Sequence, residues 1–257
     1  MAFALALAAL GAAGCRSPAA EGEGRVVVLA AASLREAFTA IAADFERAHP
    51  GVEVATSFAG TQELRSQLQQ GAKADVIAAA DARQLEPLRA AGLVGEGAVF
   101  ARNELVIVVP PGPSKVSDLA TLTGAERLVL GSPASPIGGY TAQVLERADA
   151  QLDAGFRAAV EARVVSYELN VRQVLAKVEL GEADAAIVYR SDATAAGARL
   201  RQLPIPPALN VQASYPIAVL RQAPHARLAA EFVALVRGPT GQAELARAGF
   251  LPAEVTP

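Results

Sequence analysis

The residues with chemistry to offer stand where strands give way to helices. Ala32-Ser33, Gly60-Thr61, Gly138-Gly139-Tyr140 and Asn170-Val171 each put a small, hydroxylated or amide-bearing residue at such a junction. A helix's first turn leaves about four N–H groups unpaired and carries about half a positive charge. Several such ends facing one cleft make an anion site without Lys or Arg. Ser33 and Thr61 can each add a hydroxyl donor, and Tyr189, which ends the run AAIVY, can add a phenol. The expected cage is neutral and made of donors only. The same residue types are ordinary helix N-caps in any α/β chain, so the junctions alone leave a purely structural role open.

Other chemistry has little to draw on. The 257 residues include one Cys, two His and no Trp, which supplies no disulfide framework, no zinc spacing and no thiol pair. His49 lies in a His-Pro-Gly turn and His225 follows Pro224, settings of surface turns rather than of a nucleophile with its base. A net charge of −3 gives nucleic acid little to bind by counterion release. With 52% hydrophobic residues, the chain can build one large domain or two lobes of roughly 100 residues each.

The elements that must position these residues alternate. Arg25 to Ala31 is a β-branched run without alternation, as in a strand buried on both faces. Ser33 opens a helix to about Arg47, with Leu34, Phe38, Ile41, Ala42 and Phe45 at helical spacing. Strands are expected over Val52 to Phe58, Asp75 to Ala79 and Leu105 to Val109, with helices from Thr61 to Gly71 and Gln84 to Ala91. The second stretch predicts strands at Leu128 to Gly131, Arg163 to Tyr167 and Ala185 to Tyr189, and helices at Thr141 to Arg147 and Val171 to Leu180. Pro204 to Pro207 reads as an extended segment, Tyr215 to Leu220 as a strand, and Ala226 to Val236 and Gly241 to Ala248 as helices that return to the first lobe. The pattern predicts an α/β fold of two lobes, each a mostly parallel sheet flanked by helices, with a ligand cleft between them.

Met1 to Gly14 is an uncharged apolar run, too short to span a membrane and suited to the apolar region of a secretory signal. Ala12-Ala13-Gly14-Cys15 resembles the bacterial lipobox, with Cys15 as the lipidated new amino terminus, and residues 15–24 read as a flexible tether. An ordinary cleaved signal is the alternative. Either reading sends the mature protein out of the cytoplasm, to the periplasm or cell surface.

VLAAASLREAF, around Ser33, resembles the opening motif of the periplasmic molybdate-binding proteins of ATP-driven molybdate importers. The likeness continues in order through SFAGTQEL, GAKADVIAAAD, NELVIVVP, SPIGGYTA, ELNVRQVLAKVELGEADAAIVYRSDA, YPIAVL, GPTGQAEL and Gly249-Phe250, spanning the whole mature chain.

That resemblance implies the two-lobed periplasmic binding protein fold of type II, with residues 25–104 and 215–257 in one lobe and 105–214 in the other. It implies a tetrahedral oxyanion held by Ser33 and Thr61 from the first lobe, by the main-chain amides of Ile137 and Val171, and by Tyr189. Molybdenum would be met only through oxyanion oxygens. The implied protein is a monomer that carries molybdate, and tungstate with it, to the permease and ATPase subunits of an ABC importer, without a cofactor and without covalent chemistry. A relative specific for tungstate, or for another tetrahedral oxyanion such as sulfate, is the alternative.

Overall fold

The computed structural model describes residues 24–253; the leader and Cys15 lie outside them. Strand β1 (Gly24–Ala31) leads through a 3-10 turn at Ala32–Leu34 into α1 (Arg35–Ala48), so the helix expected from Ser33 begins as a tighter turn. Then come β2 (Val52–Ala59), α2 (Thr61–Gln69), β3 (Val76–Ala78), α3 (Glu86–Ala90) and β4 (Ala98–Val109). They are followed by β5 (Leu128–Gly131), α4 (Pro136–Gln151), α5 (Phe156–Glu161), β6 (Val164–Glu168), α6 (Val171–Glu179), β7 (Ala185–Tyr189) and α7 (Arg190–Ala196). The chain closes with β8 (Arg201–Pro204), β9 (Gln212–Val219), α8 (Ala226–Arg237), α9 (Pro239–Arg247) and the short β10 (Leu251–Pro252).

The strands run in the order β2-β1-β3-β9-β4-β7-β5-β6. β4 belongs to two sheets. Its first part pairs with β9 as far as Glu104 opposite Gln212, and from Leu105, opposite Tyr189, it pairs with β7 and β8. The fold is mixed α/β with two lobes. Each sheet has a parallel core, β2-β1-β3 in one and β6-β5-β7 in the other. The antiparallel pairs lie at the boundary between the sheets, where β4 and β9 run antiparallel to their neighbours.

β1 is buried on both faces, as its composition predicts. Val26, Val28 and Ala30 join the larger core with Phe38, Ile41 and Phe45 of α1, while Leu29 joins Leu64, Leu68, Ile77 and Leu88 on the other side. The carboxy-terminal helices return to the first sheet, where Phe232 of α8 packs edge-on against Phe38 and Phe45, with ring centroids 6.0 and 5.5 Å apart.

Two elements start earlier than their sequence suggests. β4 begins at Ala98 rather than Leu105, because its first half alternates buried with partly exposed residues and carries Arg102 and Glu104. α4 begins at Pro136 rather than Thr141. The Gly138-Gly139 pair reads as loop, yet a Cβ on Gly138 would stand 1.9 Å from the Ser132 carbonyl oxygen. Only glycine lets the helix start come down that close onto the end of β5.

Candidate functional site

Four helix starts meet at one cavity. It is lined by Ala31 and Ala32 before α1, Gly60 and Thr61 at α2, Ser135, Pro136 and Ile137 at α4, and Asn170 and Val171 at α6, with Ala59, Ala80 and Tyr189 completing the wall. None of these residues carries a charge. The cavity offers about 20 Å³ to the centres of oxygen-sized atoms, room for a compact ligand only.

Local capping decides which amides face the cavity. At α4, Pro136 has no N–H, Gly138 N donates to Ser135 Oγ at 3.2 Å and Gly139 N to Ser135 O at 3.0 Å. The free amide of that turn is Ile137. At α6, Asn170 Oδ1 accepts from Arg172 N at 3.1 Å and Gln173 N at 3.2 Å, and Asn170 O accepts from Val174 N. The free amide there is Val171. At α2, Gly60 O takes the amides of Glu63 and Leu64, which leaves Thr61 and Gln62. At α4 and α6 the side-chain caps thus take up the neighbouring amides and leave Ile137 and Val171 as the unpaired donors at the cavity wall, where the helix dipoles favour negative charge.

The hydroxyls differ in their settings. Thr61 Oγ1 accepts from Ala80 N at 3.1 Å, so its own proton remains to be donated. Tyr189 is 1% exposed, and its hydroxyl has no hydrogen-bond partner among the described residues. Burial, reinforced by the neighbouring Tyr215, Tyr140 and Asp192, raises its pKa well above the ordinary phenol value. The phenol therefore stays protonated and can only donate to an anion. Its ring is held edge-on by Tyr215 at 5.8 Å and Tyr140 at 6.4 Å.

Ser33 is buried in the 3-10 turn but is not among the residues lining the cavity. Its Oγ is 3.0 Å from Tyr215 Oη. Of the five positions expected from the sequence, the structure brings Thr61, Ile137, Val171 and Tyr189 to one cavity, with Ser33 next to the lining residue Ala32. Sequence reasoning placed Asn170 at a helix start but missed the capping role of Ser135 and the bond from Tyr215. A Ser before Pro and an Asn before an apolar helical run were the available cap signals; nothing local marks Tyr215. The third junction also lies a turn earlier than expected, at Ser135-Pro136-Ile137 instead of Gly138 to Tyr140.

His49 stacks on Phe45 with centroids 4.0 Å apart and faces Glu231 at 3.2 Å, and His225 begins α8, its backbone amide bound to Asp75. Both are structural. Among the described residues no group of three or more His, Cys, Asp or Glu could hold a metal ion, and no helix is long and apolar enough to cross a membrane.

Two lobes and a small, uncharged, donor-lined cavity where they meet define a solute-binding protein of the periplasmic type. The chain belongs to the bacterial extracellular solute-binding proteins, whose family profile matches residues 26–251. It is 39% identical over 256 residues to the molybdate-binding protein ModA of Mycobacterium tuberculosis, covering 96% of this chain and 94% of that one. Among solved structures, the sulfate-binding protein SubI of Mycobacterium tuberculosis superposes with a TM-score of 0.81 at 21% identity, over 91% of this chain and 88% of that one. The Azotobacter vinelandii periplasmic molybdate-binding protein gives 0.76 at 21% identity, over 88% and 98%. These two likenesses concern the fold.

Proposed function

We propose that the protein captures molybdate, and tungstate with it, between its two lobes and delivers the oxyanion unchanged to an ABC importer. The observation that carries this reading is the buried, unpartnered and protonated Tyr189 hydroxyl in a cavity ringed by helix starts. Such a hydroxyl costs about 1 to 3 kcal/mol when unpaired, and a deprotonated oxyanion is the partner that its surroundings suit. A sphere holding the available 20 Å³ has a radius of about 1.7 Å for oxygen centres, comparable with one metal–oxygen bond of a tetraoxo anion. The 39% identity to a protein named for molybdate binding supports the same ligand.

Donors alone also explain the selectivity. Molybdate and tungstate are fully deprotonated near neutral pH, whereas hydrogen phosphate brings a proton that needs an acceptor, and the lining has no carboxylate. Leaving that proton unpaired costs about 1 to 3 kcal/mol. Sulfate is free of protons, but its shorter bonds draw its oxygens back from donors spaced for a larger ion. Five heavy atoms at about −1.5 kcal/mol each give roughly −7.5 kcal/mol, near micromolar affinity; charge-assisted bonds in a dry cavity would tighten it further.

Residues 25–104 and 215–257 would move as one lobe against 105–214. The full set of bonds then forms only on closure, and the closed shape is what a permease could read. Export, and a lipid anchor on Cys15, belong to the same reading and rest on the leader sequence. Calorimetric titration of the leaderless protein with molybdate, tungstate, sulfate and phosphate tests the proposal. Heat with the two larger oxyanions, unchanged by EDTA, is the expected result. Binding of sulfate alone would move the protein to the sulfate carriers.

A further inference from the structure

The cavity is surrounded by side-chain contacts that touch no ligand yet join the helix starts around it. Gln62, next to Thr61, donates Nε2 to Leu169 O at 2.6 Å, just before the Asn170 cap. Gln84 donates to Ala134 O at 3.4 Å, just before the Ser135 cap. Arg172, next to Val171, gives Nη2 to Glu36 Oε2 in the first turn of α1. Each contact runs from an element of the first sheet to one of the second, and only the last joins opposite charges.

Arg172 is itself held from behind. Its Nε lies 2.8 Å from Asp192 Oδ1, and the Asp192 side chain is fully buried in α7. Neither Nε nor the two carboxyl oxygens make an aligned hydrogen bond, so this contact is one of close approach. The guanidinium is thus seated on a carboxylate of its own lobe and bonds to a half-exposed carboxylate of the other.

We propose that Glu36 and Arg172 form an interlobe clasp, with Arg172 a positioning residue for oxyanion capture: the pair sets the distance between the α1 and α6 starts and so holds the Ala32 and Val171 ends around the ligand. This rests on the capture reading above. An arginine that only stabilised α6 would have no need of a partner on α1. A clasp predicts that release of bound oxyanion, rather than its entry, depends on Glu36, because the contact is complete only in the closed arrangement. It also predicts salt sensitivity, since Glu36 is 46% exposed and ions screen such pairs.

Glu36→Gln and Glu36→Lys test the clasp in the whole mature protein, because neither uncovers the buried Asp192 as removal of Arg172 would. The readouts are Kd by calorimetry, the release rate of labelled molybdate, and both at low and high salt. Glu36→Gln should raise Kd about fivefold, mostly through faster release, and Glu36→Lys, which sets two cations face to face, should raise it further. The salt dependence of release should shrink in Glu36→Gln. A wild-type protein that binds molybdate while both variants keep its affinity and release rate overturns the clasp alone. A wild-type protein that binds none of the four tetrahedral oxyanions overturns the capture reading and the clasp with it.

Discussion

The Ser33 and Tyr215 hydroxyl oxygens lie 3.0 Å apart, joining positions 182 residues apart in the chain, and both side chains are buried. Burial raises the pKa of the Tyr215 phenol well above its ordinary value, while Ser33 and Asn103 act in the opposite direction through hydrogen bonds. Asn103 also donates Nδ2 to Ser191 Oγ at 2.8 Å. Either hydroxyl can donate in this pair, so the one that accepts keeps its own proton for a further partner. The two hydroxyls form a short chain that fixes the Ser33 side chain next to the cavity-lining Ala32.

Tyr215→Phe breaks that chain. The buried Ser33 loses its partner, which should cost about 1 to 2 kcal/mol of stability. Oxyanion affinity should fall several-fold as the Ser33 side chain loses the contact that fixes it. Ser33→Ala added to Tyr215→Phe should then cost less than Ser33→Ala alone, because bonded residues couple. Denaturant titration of the four proteins measures the coupling, and additive losses would show that the two hydroxyls act independently.

Tyr189→Phe should move two properties in opposite directions. Removing a buried hydroxyl without a protein partner should raise the ligand-free stability by about 1 kcal/mol, since the ring keeps its contacts with Tyr140 and Tyr215. The same change should weaken molybdate binding about tenfold or more, the value of a hydrogen bond to a charged group. Thermal melts without ligand and calorimetry with it give the two signs. Unchanged affinity would remove Tyr189 from the site.

Thr61 separates hydroxyl from shape. Its Oγ1 serves the Ala80 amide, so Thr61→Val should lose both stability, by about 1 to 2 kcal/mol for the buried amide left unpaired, and oxyanion affinity. Thr61→Ser keeps the hydroxyl and should retain most of both. If Thr61→Val loses stability but binds as tightly as wild type, the hydroxyl serves Ala80 alone.

The parts of the fold that could be read from sequence are those with local causes. Val26 to Ala31 announces a central strand because an unbroken apolar run is what burial on both faces requires. Val171 announces a helix start because Asn170 caps it. The start of α4 could not be read, since what makes Gly138 helical is the Ser132 carbonyl across a tight turn, and in isolation a Gly pair disfavours helix. The first half of β4 was hidden by its Arg and Glu, which are tolerated because only one face there is fully buried. In the site, the amides of Ile137 and Val171 follow from capping rules, and Tyr189 from its place at a strand end. The setting of Ser33 does not, because it depends on Tyr215, which lies 182 residues further along the chain.

Asp192 makes a prediction about pH. It is fully buried, and burial pushes its carboxyl up to about 7; Arg172 opposes the shift and Glu36 adds to it. In the unfolded chain the group has its ordinary value near 3.8. Between about pH 4 and pH 7 the folded protein thus holds a proton that the unfolded chain has released. Raising the pH through that window should reduce stability through this group at about 1.4 kcal/mol per unit, with no further contribution above pH 7 or below about pH 4. Asp192→Asn cannot release the proton, so its stability relative to wild type should rise steadily from pH 4 to pH 7 and then level off. Other carboxylates titrate alike in both proteins and cancel in the difference. Denaturant unfolding at pH 4.5, 5.5, 6.5 and 7.5 measures that difference, and parallel curves would mean that Asp192 keeps its charge in the folded state, held by Arg172 across the whole range.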